Sequence, residues 1–443
     1  MDMRSKVLTG VALASMLLAA ACGSDTPPPL GASAPPTSAA SIDPAKVTGT
    51  VTVLTNRTDL VTDGTMEKYA TEFKKTYPDV TVKFEGVTDY EGEVKIRMNT
   101  ENYGDVLLIP NTIGKEDYPK FFEPLGSAAD LDKKYVYTSK SNVGGTIYGI
   151  PGFSSVNGFV YNKGVWEKAG IADWPTTPDE FLADLQAIKD KGGAVPYYTN
   201  YKDGWPLTAW TSALGSPSCD AKATDNLATD LEPWKAGGDL HIADTLLYNI
   251  VNRKLSEADP TTTNWEDSKS QLATGKIATM WLGSWSIVQM QDAAKQAGQD
   301  PSVIGYMPFP AQKDGKYCTM VTPDYLYAVN IHSENKPAAR AWLEWMVEKS
   351  GFAETNQAIS SVAGAPLPTA LQPYSDAGVE FVELSQAETG KFNKIDNESE
   401  VGMNKPDYRQ KLIDIARGAG SGDLNGLFSE LTTKWADTVK MSG

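Results

Sequence analysis

The chain has 443 residues, of which 56 are acidic and 40 basic, so its formal net charge at pH 7 is −16. That charge argues against a nucleic-acid ligand, which needs basic patches, and it disfavours a strongly anionic ligand. The two histidines, His241 and His332, lie outside any metal-binding motif, and no P-loop or G-x-S-x-G elbow occurs, so we expect no metal, no cofactor and no catalytic residue.

The N-terminus has the layout of a secretory signal. Arg4 and Lys6 precede an apolar run over 7–21, which is shorter than the roughly 20 residues that a membrane-spanning helix needs. We therefore assign residues 1–21 to a signal peptide and expect an extracytoplasmic protein.

The signal ends at a candidate lipid anchor. Leu-Ala-Ala-Ala at 18–21 precedes Cys22 and resembles the lipobox of bacterial lipoproteins, in which the cysteine is lipidated. The resemblance implies that Cys22 carries acyl chains that hold the protein at the cell membrane, whereas an ordinary cleaved signal with a chance cysteine is the alternative. Residues 22–46 are rich in Pro, Ala and Ser, which predicts a disordered tether.

The first predicted elements of the body alternate between strand and helix. Residues 50–54, 80–84 and 105–109 are predicted as strands, and 66–77 and 90–99 as helices. This alternation predicts a parallel sheet in an α/β lobe, with the ligand beyond the carboxyl ends of the strands. The loops after the first and third strands are therefore candidates for ligand contact.

Two later segments carry clear helix signals. Thr177 as N-cap, followed by Pro178 and Glu180, predicts a helix start, and the glycine pair at 192–193 predicts its end. Apolar residues over 338–346 predict another helix, whose tryptophans we assign to the core. The body of about 400 residues exceeds the usual size of one domain, which predicts two lobes.

Two cysteines remain besides Cys22. Cys219 and Cys318 form an even pair in an exported protein, which favours a disulfide that closes a loop of about 100 residues. Two unpaired buried thiols are the alternative.

Aromatic residues concentrate in segments that contain Gly and Pro, namely Trp205 with Trp210, Trp281 with Trp285, and Tyr325. Sugar rings present flat C–H faces that stack on aromatic rings, and hydroxyls that need polar partners. The pattern indicates a carbohydrate site, with core packing as the alternative for each tryptophan.

Six segments, in order, resemble a known family, the family 1 extracellular solute-binding proteins of bacterial ABC importers, which are similar to maltose-binding protein. The segments are Tyr-Gly-Ile-Pro at 148–151, Phe-Val-Tyr-Asn-Lys at 159–163, Ala-Gly-Ile at 169–171, Thr-Pro-Asp-Glu-Phe at 177–181, Gly275 to Trp285, and Ile304 to Pro310. The resemblance spans most of residues 47–443.

The resemblance implies a two-lobed periplasmic-binding-protein fold of type II-like α/β architecture, with the ligand in the cleft between the lobes. Lobe 1 would hold residues 47–154 and 325–362, and lobe 2 residues 155–324 and 363–443. Hinge closure would bury a mono- or oligosaccharide, and a membrane permease with a separate ATPase would receive it. We expect a monomer that touches the membrane through its lipid anchor only.

The resemblance also nominates ligand-binding residues. Trp285 resembles the stacking tryptophan of the family, and Asp324 and Tyr325 stand where many members carry small residues. The other candidates follow from their loops or their aromatic surroundings, and they are Asn56, Arg57, Asp59, Asn111, Ser155, Asn157, Trp205, Trp210 and Trp281. Asp59 would accept hydrogen bonds from sugar hydroxyls, and Arg57 would donate to them.

Two other function classes stay open on sequence grounds. One is a secreted carbohydrate-active hydrolase or lyase that uses a pair of carboxylates, whose separation a sequence does not reveal. The other is a binding protein for a peptide or another polar solute.

Overall fold

The computed structural model describes residues 43–442. The predicted signal peptide, Cys22 and the tether up to residue 42 lie outside the described residues, and the last tether positions form a short 3-10 turn at Pro44–Lys46. Within 43–442, no helix is both long and apolar enough to cross a membrane.

Fourteen strands occur within the described residues. In chain order they are β1 (Gly49–Thr55), β2 (Val80–Gly86), β3 (Val106–Leu108), β4 (Gly126–Ser127), β5 (Asn142–Val143), β6 (Thr146–Ile147), β7 (Ile150–Pro151), β8 (Ser154–Asn162), β9 (Thr279–Gly283), β10 (Ile304–Met307), β11 (Gln312–Lys313), β12 (Lys316–Pro323), β13 (Leu326–Val329) and β14 (Glu380–Glu383).

The α-helices of the same part of the chain vary from four residues to nineteen. They are α1 (Thr58–Thr62), α2 (Thr65–Lys74), α3 (Tyr90–Arg97), α4 (Tyr118–Phe121), α5 (Ala128–Leu131), α6 (Lys163–Lys168), α7 (Pro178–Lys191), α8 (Trp205–Thr208), α9 (Ala223–Leu227), α10 (Asp239–Asn252), α11 (Trp265–Ala273), α12 (Ser286–Gln296), α13 (Lys336–Glu348), α14 (Phe352–Thr355), α15 (Gln372–Asp376), α16 (Thr389–Glu398), α17 (Asp407–Ala416) and α18 (Leu424–Ser442).

The first sheet has the order β2-β1-β3-β13-β7. β1 pairs in parallel with β2 and β3, as the alternating strands and helices predict, and β13 joins antiparallel to β3. The three residues of β3 are all buried, which is typical of a strand covered on both faces. We call the part of the chain built on this sheet the first lobe.

One helix from late in the chain completes the core of the first lobe. The α13 residue Trp342 packs edge-on against Phe73 of α2, with ring centroids 5.2 Å apart, and against Phe84 of β2 at 5.4 Å. Trp345 packs against Phe73 as well. The prediction that these tryptophans belong to the core is confirmed for Trp342, which is fully buried, whereas Trp345 is half-buried at the edge of the core.

The second sheet has β8 at its centre, flanked by β9 on one side and by β10 and β12 on the other, and β14 pairs with β12. The buried side chains of β8 alternate between two hydrophobic clusters, since Phe159 belongs to one and Val160 to the other. We call the part of the chain built on this sheet the second lobe.

Helix α7 begins as predicted. The Thr177 hydroxyl accepts a hydrogen bond from the amide of Glu180 at 3.2 Å, and the Glu180 carboxylate accepts from the amide of Thr176 at 2.7 Å. One orphan amide of the first turn and the amide before the N-cap are thereby satisfied, and Gly192 ends the helix with a φ of 75°.

Three segments run side by side between the two sheets. Ser154 and Ile359 exchange backbone hydrogen bonds of 2.8 Å in both directions, and Asp324 donates its amide to the carbonyl of Phe153 at 3.0 Å. Ser154 also pairs with Pro323 at the end of β12. The chain therefore passes between the lobes at three neighbouring points.

Candidate functional site

The loops at the carboxyl ends of β1, β2 and β3 carry polar residues at one edge of the first sheet. In the loop after β1, Arg57 donates to Asp59 from Nε at 2.9 Å and from Nη2 at 2.8 Å. The hydrogen bond from Arg57 holds the pKa of Asp59 below its ordinary value. The two side chains, which the sequence nominated for separate roles, thus bind each other.

Glu91, at the start of α3, organises the next two loops. Its Oε1 accepts hydrogen bonds from the hydroxyl of Tyr325 at 2.7 Å and from the side-chain amide of Asn111 at 3.1 Å. Burial alone would raise the pKa of Glu91. These hydrogen bonds and two from backbone amides outweigh burial, so the pKa lies below its ordinary value. Sequence reasoning missed Glu91, although its position just after β2 follows the same carboxyl-edge rule.

Two charged residues lie beside this network. Lys140 donates from Nζ to the Asn111 side-chain oxygen at 2.9 Å. Burial raises the pKa of Asp324 above its ordinary value. The backbone amide of Tyr325 and the positive charges of Lys140 and Arg57 lower it, but by less. Within residues 43–442 no side chain hydrogen-bonds to the Asp324 carboxylate, so its oxygens are available to hydroxyl donors. Lys140 is a second residue that sequence reasoning missed.

A pocket of about 80 Å³ brings four of the predicted residues together. It is lined by Asn56, Arg57, Leu108, Gly152, Phe153, Asp324, Tyr325, Tyr327 and Phe352. Gly152 has no room for a side chain, because a Cβ there would lie 2.6 Å from the Tyr327 ring. The pocket therefore combines aromatic walls with an amide, a guanidinium and a carboxylate.

The second lobe contributes three tryptophans that contact one another, Trp205, Trp265 and Trp285, which we call the tryptophan triad. Ring centroids are 5.0 Å apart for Trp205 and Trp265, 5.9 Å for Trp205 and Trp285, and 6.1 Å for Trp265 and Trp285. Trp205 is 39% exposed, and the other two are half-buried. Sequence reasoning found two of the three but missed Trp265, whose only signal is its place after the helix-capping Asn264.

Hydrogen bonds between two loops hold the triad in place. The Trp265 amide donates to the Asp203 carboxylate at 3.1 Å, and the Lys202 amide donates to the Thr263 hydroxyl at 2.8 Å. Since Asp203 precedes Trp205 by two positions, these bonds set the position of one indole relative to the other.

Trp210 and Trp281, predicted as ligand contacts, are core residues instead. Each is 1% exposed. The Trp210 indole N–H donates to the Tyr197 hydroxyl at 3.2 Å, and that of Trp281 donates to the Ala209 carbonyl at 2.8 Å. Their rings pack against each other at 5.6 Å between β9 and the helical layer, which leaves no face for a ligand.

Ser155 and Asn157 lie on β8 with half-exposed side chains, between buried neighbours. Both point to the same face of the sheet, because side chains alternate along a strand. Asn157 pairs with Gly283, two positions before Trp285, and Ser155 pairs with Thr322, two positions before Asp324. The strand thus links the triad to the pocket that contains Asp324.

A wider groove of about 690 Å³ lies elsewhere on the first lobe. It lies near the amino end of β3, which Gly104 and Asp105 precede, and it has no tryptophan, tyrosine or phenylalanine in its lining. Asp105 is already paired with the Thr52 amide at 2.7 Å and with the Ser333 hydroxyl at 2.5 Å. The groove lacks the aromatic faces on which a sugar ring stacks.

The cysteines and possible metal ligands lie apart from these features. Cys219 and Cys318 are joined in a disulfide, with Cα atoms 5.5 Å apart, which ties the loop before α9 to β12. Among residues 43–442, no three His, Cys, Asp or Glu side chains cluster in a way that could hold a metal ion.

The sequence of this chain is similar to those of known solute-binding proteins. Residues 58–351 match the sequence profile of a family described as bacterial extracellular solute-binding protein. The chain is 25% identical over 318 residues to the multiple sugar-binding protein of Streptococcus mutans, which covers 69% of this chain and 72% of that protein.

Two solved structures from Bifidobacterium animalis subsp. lactis are similar over 90% of this chain and 96% of their own. One, a binding protein of an ABC transporter in complex with mannobiose, is 32% identical with a TM-score of 0.78. The other, a manno-oligosaccharide-specific solute-binding protein in complex with mannotriose, is 30% identical with a TM-score of 0.77. These similarities confirm the predicted two-lobed α/β fold.

Proposed function

The chain belongs to the bacterial extracellular solute-binding proteins, and we propose that it captures a carbohydrate and delivers it to an ABC permease driven by a separate ATPase. The observation that carries the proposal is the tryptophan triad, which leaves aromatic surface on the second lobe. Sugar binding by the relatives in complex with mannobiose and mannotriose supports it.

The two lobes supply complementary chemistry to such a ligand. The triad offers faces on which the C–H side of a sugar ring can stack, and Asp324, Asn56 and Arg57 offer partners for hydroxyl groups. A ligand that uses both sets of contacts requires the lobes to close around it, which is a hinge motion.

We further propose the lobe boundaries that the family resemblance implies, with residues 47–154 and 325–362 in one lobe and 155–324 and 363–443 in the other. The three crossing segments support this division, because Ser154, Pro323 and Ile359 meet between the two sheets. The hydrophobic cluster of the first sheet draws on residues from 47 to 150 and from 326 to 352, in agreement with it.

We also propose that the protein is a lipoprotein anchored through Cys22. Metabolic labelling with an alkyne fatty acid should mark the protein, and Cys22→Ser should abolish the label and release the protein from the membrane. Unchanged membrane retention of an unlabelled wild-type protein would contradict the anchor.

The decisive experiment is a titration of the full chain, in mild detergent, with mono- and oligosaccharides and with short peptides. We expect a saturable change of tryptophan fluorescence at micromolar sugar and no turnover of any sugar. Trp285→Ala should abolish most of the binding without unfolding the protein, since interface tryptophans commonly contribute about 2 kcal/mol or more.

Two other outcomes would change the proposed function. Hydrolysis or elimination of any oligosaccharide would show that the protein is an enzyme. No fluorescence change with any sugar, together with a saturable change with a peptide, would show that the solute is not a carbohydrate.

A further inference from the structure

We propose that Glu257 is a positioning residue of the ligand site. Its carboxylate holds the loop over residues 199–204, which presents Trp205, and it thereby sets the affinity for the ligand without touching the ligand. This inference rests on the proposed function, and it concerns a residue that the sequence did not nominate.

Glu257 lies where two segments of the second lobe run side by side. The amide of Tyr197 donates to the carbonyl of Leu255 at 3.0 Å, which begins the pairing. Two positions further along, the amide of Thr199 donates to Oε2 of Glu257 at 3.0 Å, and the Thr199 hydroxyl donates to Oε1. The carboxylate thus continues, with a side chain, the pairing that the backbone begins.

Thr199 transmits this contact into the loop. Its hydroxyl oxygen accepts a hydrogen bond from the amide of Tyr201 at 3.1 Å and gives its own proton to Glu257. Beyond Tyr201, the bonds of Lys202 and Asp203 described above tie the loop to the segment of Trp265. Glu257 is therefore the anchor at the start of the loop, and the Trp265 segment is the anchor at its end.

The 199–204 loop has a conformation that its own contacts do not account for. Asn200 has a φ of 56°, in the left-handed region that few residues other than glycine adopt, and Gly204 has a φ of 75°. Within residues 43–442, Oδ1 of Asn200 and Oδ2 of Asp203 are buried without a hydrogen-bond partner. Such features cost free energy and persist only where the surroundings enforce them, so the loop depends on its anchors.

The contact with Thr199 favours the charged form of Glu257. The Thr199 hydroxyl and amide are both donors, and a proton on either carboxylate oxygen would weaken the bond that this oxygen accepts. Burial raises the pKa of Glu257 to about 7. We therefore expect the loop to be held more firmly at pH 8 than at pH 5.5.

The neighbouring titratable groups keep their charge over this range. In the described part of the chain, the groups that interact electrostatically with this carboxylate are Asp259 on its own segment and Tyr197 and Tyr198 on the paired one. Hydrogen bonds from Thr261 hold the pKa of Asp259 below its ordinary value. Burial raises the pKa of both tyrosines, which stay neutral. Glu257 is thus the group of this cluster whose charge changes between pH 5.5 and 8.

The test compares Glu257→Gln with the wild-type protein at pH 5.5 and pH 8. Calorimetry on the full chain in mild detergent would use whichever of mannobiose, mannotriose, melibiose and raffinose binds most tightly. Glutamine keeps the size of the side chain but stays neutral, and its NH₂ group faces one of the two Thr199 donors. We expect the variant to bind within twofold of the wild type at pH 5.5 and about tenfold more weakly at pH 8.

The ratio of the two affinities is the quantity that matters. Burial also raises the pKa of Asp324 in the candidate pocket, so the wild-type affinity alone can change with pH for another reason. Asp324 is present in both proteins, and its effect cancels in the ratio at each pH. A residue that only stabilised the fold would not give a ratio that follows the charge of Glu257.

Asp239→Asn is the matched control. Asp239 is another half-buried carboxylate of the second lobe, and it accepts the amide of Gly215 at 2.7 Å and the hydroxyl of Ser218 at 2.8 Å. Burial raises its pKa as well, but the loop that it anchors carries no tryptophan. Asp239→Asn should bind within twofold of the wild type at both pH values, and circular dichroism would show that each variant is folded.

A measurement without ligand examines the loop directly. In ¹H–¹⁵N spectra, the indole resonance of Trp205, assigned from Trp205→Phe, should move between pH 5.5 and 8 in the wild-type protein and stay in place in Glu257→Gln. A fixed resonance in the wild type, or an affinity ratio that is the same at both pH values, would overturn the positioning role and leave the proposed function intact. Failure of the wild-type protein to bind any sugar would instead remove the proposed function and the ligand role of Glu257 with it, and the spectra would still decide whether Glu257 holds the loop.

Discussion

The phenolic oxygen of Tyr325 lies 2.7 Å from Oε1 of Glu91, and this hydrogen bond joins two segments that are 234 positions apart in the chain. The same carboxylate receives the amide of Asn111, so one side chain orients the loops after β2 and β3 and the crossing next to Asp324. The Tyr325 side of the candidate pocket thus depends on a single carboxylate, that of Glu91.

Removal of the Tyr325 hydroxyl should loosen that wall. We expect Tyr325→Phe to lower the free energy of unfolding by about 1–2 kcal/mol, because a hydrogen bond to a charged acceptor is lost, and to weaken sugar binding several-fold. Chemical denaturation and calorimetry would measure both. Tyr77→Phe, three residues after the end of α2, is the control and should change neither. Unchanged affinity in Tyr325→Phe would show that this hydrogen bond does not shape the ligand site.

A methyl group at residue 283 should displace Trp285 without disturbing the core. We expect Gly283→Ala to weaken sugar binding at least tenfold and to shift the tryptophan emission, because its Cβ overlaps the indole. Gly390→Ala, where a Cβ meets nothing within 4 Å, is the matched control. Wild-type affinity in Gly283→Ala would mean that the orientation of Trp285 is unimportant for the ligand.

Removal of one partner from the buried ion pair of the second lobe should cost much stability. Arg409 and Asp244 are both 0% exposed, with Nε 3.1 Å from Oδ1, and Arg409 also donates to the carbonyl of Leu207 near Trp205. We expect Arg409→Met to cost about 3–5 kcal/mol, because an unpaired carboxylate stays buried.

The control for that prediction lies on the same helix. Lys411 forms an exposed ion pair with Glu430 at 2.7 Å, and Lys411→Met should cost less than about 1 kcal/mol. Urea unfolding of both variants would measure the difference, and equal losses would contradict the distinction between the buried and the exposed pair.

Glu257 should make stability depend on pH. Burial raises its pKa to about 7, although hydrogen bonds from the hydroxyl and the amide of Thr199 favour the charged form. The folded state therefore holds a proton that the unfolded state releases near pH 4.5, so the contribution of Glu257 is full below pH 4.5 and is lost as pH rises through 7.

The test compares thermal unfolding at pH 5.5 and pH 8. We compare the free energy of unfolding of Glu257→Gln with that of the wild-type protein at each pH. This difference should favour the variant by on the order of 1–3 kcal/mol more at pH 8 than at pH 5.5. Glu67→Gln, an exposed site on α2, should show no such difference. A Glu257→Gln curve parallel to the wild type at both pH values would refute the assignment.

Local patterns predicted the framework well. The alternating strands and helices of residues 50–109 and the Thr177 cap were visible in the sequence because periodicity and capping depend on neighbours within a few positions. Asn56 and Arg57 were nominated from their loop, and Asp324 and Tyr325 from their departure from the family pattern, and the structure brings all four to one pocket.

The sequence by itself determined the order of strands and helices in the first part of the body and the start of α7, because these depend on residues close in the chain. Only the tertiary structure decided which tryptophans reach solvent. Trp210 and Trp281 lie in loop-like sequence yet are enclosed by distant segments, whereas Trp265 and Glu91 gain their positions from partners many residues away. The exposure of a side chain depends on how remote segments pack against it. The residues next to it in the chain therefore do not predict whether it reaches solvent.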